Sequence, residues 1–163
     1  MKRGLLISDT GPIFSLCIIR ELYLLETFFD EFFIPEAVWV ELTKDKNTKF
    51  YPEILSLFKD RVKKVSSPVT LLEKLDLGES EAITLYKDYK ADYLLIDDKK
   101  ARSIAEEFGI KCIGTIGVLI AARKNGLIKE LRPLFHTFLN NKRFYSKSLL
   151  NRILLEFNEK VLV

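Results

Sequence analysis

Apolar runs of strand length recur along this chain, and a longer stretch with helical spacing follows nearly every one. LLIS (5–8) precedes a helical pattern over Ile13 to Phe29, FFI (32–34) precedes a helix opened by Pro35, and VKKVSS follows a helix over Pro52 to Lys59. The helical GESEAITLYKDY, the run YLLI, a helix over Lys100 to Phe108, the run KCI and the helical GVLIAARKN continue the alternation. Gly109 and Gly126 fall where a helix needs a left-handed stop. Such an order predicts an α/β fold of three layers, a small and mostly parallel sheet flanked by helices.

From about Leu127 the rhythm changes. LIKELRPLFHTFLNN and KSLLNRILLEFNEK are amphipathic and helical with no strand between them. The organisation expected is a domain over 1–128 and a helical extension over 129–163 packed on it, since 163 residues at 48% hydrophobic content suffice for one sizeable core. The link NNKRFYSK between the two tail helices is polar, basic and aromatic. It reads either as an exposed arm touching RNA or as a solvated turn with Phe144 and Tyr145 packed back on the helices.

Several function classes are excluded early. No stretch approaches the roughly 20 apolar residues of a membrane span, and Asp9 cuts off the first apolar run before a signal-peptide core is complete. Cys17 and Cys112 sit singly in apolar surroundings, which fits reduced thiols and a cytoplasmic setting. The single histidine, His136 in LFHTFL, reads as a packed side chain, so histidine catalysis is set aside. Neither Gly-rich phosphate-cradling motif occurs. A net charge of +3 makes any nucleic-acid surface a local one.

Acids fall at the ends of the apolar runs. In an open parallel sheet ligands bind beyond the carboxyl ends of the strands. Asp9 closes LLISD, and Asp97 with Asp98 closes YLLIDD. Glu79, three residues after Asp76, suits a capping box but also shares a helical face with Ala82, Ile83 and Tyr86, the face expected to meet the sheet. Glu81 points roughly 160° from it. Glu41 borders an apolar stripe in PEAVWVEL, the usual place of a residue at the solvent boundary. Successive strand residues point to opposite faces, so Asp97 and Asp98 share one crevice only if the chain bends between them.

Taken in order, ISDTGP, IPEAVWVEL, LDLGESEAI, LLIDDKKAR and GIKCIGTIGVLIAARKNGLI resemble PIN domains over about residues 5 to 128, most closely the prokaryotic branch related to VapC-type toxin ribonucleases. The resemblance implies a metal-dependent endoribonuclease with an acidic cluster at the sheet edge. It implies catalytic roles for Asp9, Glu41, Glu79 and Asp98, and metal ligation by Asp9, Glu79 and Asp98 or its neighbour Asp97. Thr10 and Thr115 are candidates for polar support, Thr115 equally for a helix cap. It also implies a toxin with a small antitoxin partner, and homodimer formation is expected.

The chemistry agrees with that set. Mg²⁺ and Mn²⁺ prefer oxygen ligands, and a few carboxylates suffice to hold them. Without an activated nucleophile, water acidified by such an ion is the natural attacking group on a phosphodiester. Lys99, Lys100 and Arg102 follow the aspartates at the start of a helix, either contacting an RNA backbone or lining a solvated face. Two other classes compete. A receiver-like signalling domain also uses strand-end aspartates, but its paired acids come early rather than late. A PIN fold without nuclease activity, binding RNA or protein, is the alternative.

Overall fold

The computed structural model describes residues 2–66, 74–143 and 145–163. Five strands are present among them: β1 (Leu5–Ser8), β2 (Glu31–Pro35), β3 (Val62–Lys63), β4 (Tyr93–Leu95) and β5 (Cys112–Ile113). They form one sheet in the order β3-β2-β1-β4-β5 with every pairing parallel. The edge strands β3 and β5 are two residues long each.

Alternate residues of the central strands enter two different cores, as the period of a strand requires. On one face Leu6 and Leu95 join Phe32 and Ile34 beneath α1 (Thr10–Ile18), α2 (Leu24–Phe28), α4 (Tyr51–Phe58) and α7 (Thr115–Lys124). On the other, Ile7, Leu94 and Ile96 meet Ala82, Ile83 and Leu85 of α5 (Leu77–Tyr89) and Ala101 and Ala105 of α6 (Lys99–Glu107). The helix α3 (Glu36–Thr43) sends Val38 and Leu42 into the first core. Helices cover both faces, giving the three layers expected.

The tail helices α8 (Arg132–Asn140) and α9 (Lys147–Glu156) add Phe135, Phe138, Leu150, Ile153 and Leu154 to the first core. Glu159 fixes the entry of α8 by accepting from the backbone N–H of Leu131 at 3.0 Å and of Arg132 at 2.8 Å. No described helix is long and apolar enough to cross a membrane. Cys17 is a buried free thiol and Cys112 a half-buried one.

Two local expectations are corrected. The pattern over Ile13 to Phe29 is two helices, because Arg20 takes a left-handed conformation (φ 59°) and the N–H of Glu21 returns to the Leu16 carbonyl at 2.9 Å, closing α1. A glycine would have announced that stop; an arginine does not. His136 is exposed rather than packed, near Asn140 Nδ2 at 3.3 Å, because α8 buries Phe135 and Phe138 and turns His136 to solvent.

The connectivity locates the crevice. From β1 the chain steps through β2 to β3 on one side, then returns through α5 to β4 on the other side of β1. The direction of winding therefore reverses between β1 and β4, and in open parallel sheets the ligand crevice opens at that reversal, beyond the carboxyl ends of the strands.

Candidate active site

Asp9 stands at this reversal, with its backbone N–H bonded to the Leu95 carbonyl at 2.9 Å. It is the N-cap residue of α1, extended at φ −80° and ψ 171°, yet its side chain makes no capping bond. The sequence removes one of its two usual donors. A capping carboxylate accepts from the second or third helical N–H, and the third residue of α1 is Pro12, which has none. At two other helix entries the same residue type does cap: Asp98 accepts from Ala101 N at 2.9 Å and Asp76 from Glu79 N at 2.8 Å.

Asp9, whose carboxyl is uncapped, is a buried residue, 8% exposed. Burial pushes its pKa up to about 7; the Thr10 backbone N–H pulls it down, and the charges of Glu79, Asp76 and Glu41 push it up. Four acids from β1, α3 and the start of α5 thus share one electrostatic environment.

Glu79 opens α5 in a reciprocal capping box, its Oε1 accepting from Asp76 N at 3.1 Å. Burial raises its pKa, the Asp76 N–H lowers it, and the charges of Asp76, Asp98 and Glu41 raise it. Glu41 is exposed, but its carboxylate is directed at Gly78, where a Cβ would overlap it. Partial burial raises its pKa, the Thr10 hydroxyl lowers it, and Asp76 raises it. Thr10 faces Glu41 in this way, yet its buried Oγ1 completes no well-directed hydrogen bond. Glu81, also on α5, accepts from Ala37 N at 3.0 Å and holds the first turn of α3.

Asp97 and Asp98 line one cleft but have different partners. Asp97 turns toward β5, where its Oδ1 accepts from Thr115 N at 2.8 Å and its Oδ2 from Thr115 Oγ1 at 2.6 Å and Tyr145 Oη at 2.8 Å. Asp98 caps α6, leaving its second oxygen outside that cap, and its charge is felt by Glu79. A cleft of about 420 Å³ brings together Asp9, Asp97, Asp98, Lys99, Arg143 and Tyr145. Of the three cations after the aspartates, Lys99 lines that cleft. Lys100 is exposed on the first turn of α6, and Arg102 turns to Glu106 Oε1 at 3.0 Å and the Cys112 carbonyl at 3.4 Å.

The donor set is carboxylate and hydroxyl oxygen throughout, which suits a hard divalent cation and no soft one. The uncapped Asp9 and the unpartnered Thr10 hydroxyl are oxygen atoms that a cation would satisfy. Among the described residues, however, no three acid, histidine or cysteine side chains are arranged to close on a single ion. Asp97 has both oxygens engaged, and Glu79 and Asp98 each have one in a cap. The acids share a field without forming a coordination sphere.

Three contributors lay outside the sequence-based site. Asp76 looks like a cap and is one, but its charge acts on Asp9, Glu41 and Glu79. Arg143 and Tyr145 reach the cleft from the link between α8 and α9, whose basic and aromatic composition was the available signal. Of the two aromatics there, Tyr145 does pack back, tilted on Phe138 with ring centroids 4.8 Å apart, and Phe144 lies outside the described residues.

A family model described as a PIN domain matches residues 5–159. No curated protein matches the chain.

Proposed function

The chain belongs to the PIN-domain family, and from that premise we propose that it is a metal-dependent endoribonuclease hydrolysing RNA phosphodiester bonds with Mg²⁺ or Mn²⁺. The observation that carries this reading is Asp9: a nearly buried carboxyl that makes no capping bond to its helix and is set among three other acids. A group so placed is costly when charged and gains most from a cation.

Asp9, Glu79 and Asp98 would hold the ion, with Glu41 and Thr10 supporting it from the α3 side. Bound there, a hard divalent cation supplies the charge that acidifies water and neutralises the scissile phosphate. Asp97, held by Thr115 and Tyr145, fixes the wall of the crevice between β4 and β5. Lys99 holds the incoming RNA backbone by charge, which positions the strand without reading its sequence.

One observation favours a second reading, an inactive PIN fold that binds RNA or protein: the engagement of Asp97, Glu79 and Asp98 in hydrogen bonds of the protein's own. One assay separates the two. Mixed RNA is incubated with protein and Mn²⁺, with and without chelator, beside Asp9→Asn. The nuclease reading expects cleavage abolished by either change. Cleavage surviving both would refute it, and RNA binding without cleavage would favour the inactive module.

The reading extends to a toxin blocked by a small antitoxin and to a homodimer associating through helical surface. Growth arrest on expression, lost in Asp9→Asn, tests the first. Light scattering across concentrations tests the second, and a single monomer would refute it.

A further inference from the structure

The link between α8 and α9 returns to the site across most of the chain. α8 ends in a Schellman turn: Lys142 is left-handed (φ 54°), Arg143 N bonds the Phe138 carbonyl at 3.0 Å, and Lys142 N bonds the Leu139 carbonyl at 3.4 Å. That turn aims Arg143 at α1. Its Nε donates to Ser15 Oγ at 3.0 Å and its Nη2 to the Gly11 carbonyl at 3.1 Å. Two residues on, the Tyr145 hydroxyl donates to Asp97 Oδ2 at 2.8 Å and lies 3.0 Å from the same Ser15 Oγ. Ser15 is fully buried, so this junction is built into the protein rather than laid on its surface.

The guanidinium is fixed by neutral partners, although it lines a cleft with Asp9, Asp97 and Asp98. The ion pairs among the described residues are Arg102 with Glu106 and Arg123 with Glu159, so Arg143 is paired with none of those acids. Its Nη1 has no hydrogen-bond partner among the described residues. A cation held in orientation by a carbonyl and a hydroxyl keeps its charge for something else, and a planar guanidinium matches the geometry of a phosphate. An acidic crevice repels a polyanion, so a phosphodiester entering it needs positive charge at the rim. Lys99 stands on the α6 side and Arg143 on the α1 side.

We propose that Arg143 is a phosphate-clamping residue of the cleft, acting with Lys99 on the RNA backbone, and that Tyr145 and Ser15 are the positioning residues that hold it there. The identity of the ligand rests on the nuclease reading above; the clamp itself is tested by binding.

A fluorescein-labelled single-stranded oligoribonucleotide of mixed sequence is titrated with wild type, Arg143→Ala, Arg143→Lys, Ser15→Ala and Arg152→Ala in EDTA over a range of salt. The same variants are assayed for cleavage with Mn²⁺. Arg143→Ala is expected to weaken binding by about tenfold or more and to flatten the slope of log K against log salt by about 0.7, the contribution of one single-strand phosphate. Arg143→Lys, retaining charge without the fork, should recover the slope and part of the affinity. Arg152→Ala removes an exposed charge on α9 and should bind as wild type does.

Unchanged binding by Arg143→Ala overturns the clamp. So does an equal loss in Ser15→Ala and Arg143→Ala that follows their melting temperatures with no change of slope, because Arg143 is then a brace. Wild type that binds but never cleaves, with Arg143→Ala binding weakly, overturns the nuclease reading and leaves the clamp standing. Wild type that neither binds nor cleaves overturns both.

Discussion

Replacing Asp9 by asparagine removes the most strongly perturbed acid of the site and changes stability in a direction opposite to most core substitutions. Asp9 titrates near its ordinary value of 3.8 in the unfolded chain and near 7 in the folded one. Between those values the native state binds more protons than the unfolded state, so stability falls as pH rises through the window and levels off above 7. With these two values the Asp9 contribution drops by roughly 2.5 kcal/mol between pH 5 and pH 8, out of about 4 kcal/mol over the full interval.

Urea unfolding in EDTA at several pH values measures this directly. Wild type should lose stability on going from pH 5 to 8, and Asp9→Asn should lose markedly less, ending more stable than wild type at pH 8. Glu41 and Glu79, also raised by partial burial, keep a residual slope of the same sign in the variant. Adding Mn²⁺ at pH 8 should restore wild type and leave Asp9→Asn nearly unchanged. Equal pH dependence in the two proteins would refute the argument that Asp9 is a buried charge awaiting a cation.

Further substitutions probe the same architecture. Pro12→Ala returns an N–H to the third position of α1, so Asp9 should be drawn into capping at about 1 kcal/mol and Mn²⁺ affinity should fall about fivefold by calorimetry. Gly78→Ala places a methyl where the Glu41 carboxylate lies. The side chain can swing away, so stability should change by less than about 1 kcal/mol while Mn²⁺ affinity falls about tenfold. Glu81→Ala removes the acceptor for Ala37 N and should cost about 1–2 kcal/mol in urea melts with the catalytic parameters of the folded protein unchanged.

The layers and the sheet edge were legible because local rules govern them. Apolar runs of period two alternating with helical segments specify a parallel sheet, and acids after LLIS and YLLI necessarily lie at its carboxyl edge. The bond of Glu81 to α3 was not legible, because it joins residues 44 apart in the chain. The division between Asp97 and Asp98 was not legible, because it depends on Thr115 and Tyr145 arriving from 18 and 48 residues away. Arg143 was harder still, at 128 residues from Ser15. Left-handed stops at Arg20 and Lys90 carry no glycine to mark them.

The shortness of β3 and β5 constrains how this protein can associate. A strand edge recruits another chain by offering a row of free backbone donors and acceptors, and two-residue edges present almost none. An antitoxin or a second copy that extended the sheet would gain few main-chain bonds for the entropy of ordering its segment. A partner of either kind would instead have to be met by side chains of the helical layers, and edges this short give the sheet little with which to template its own aggregation.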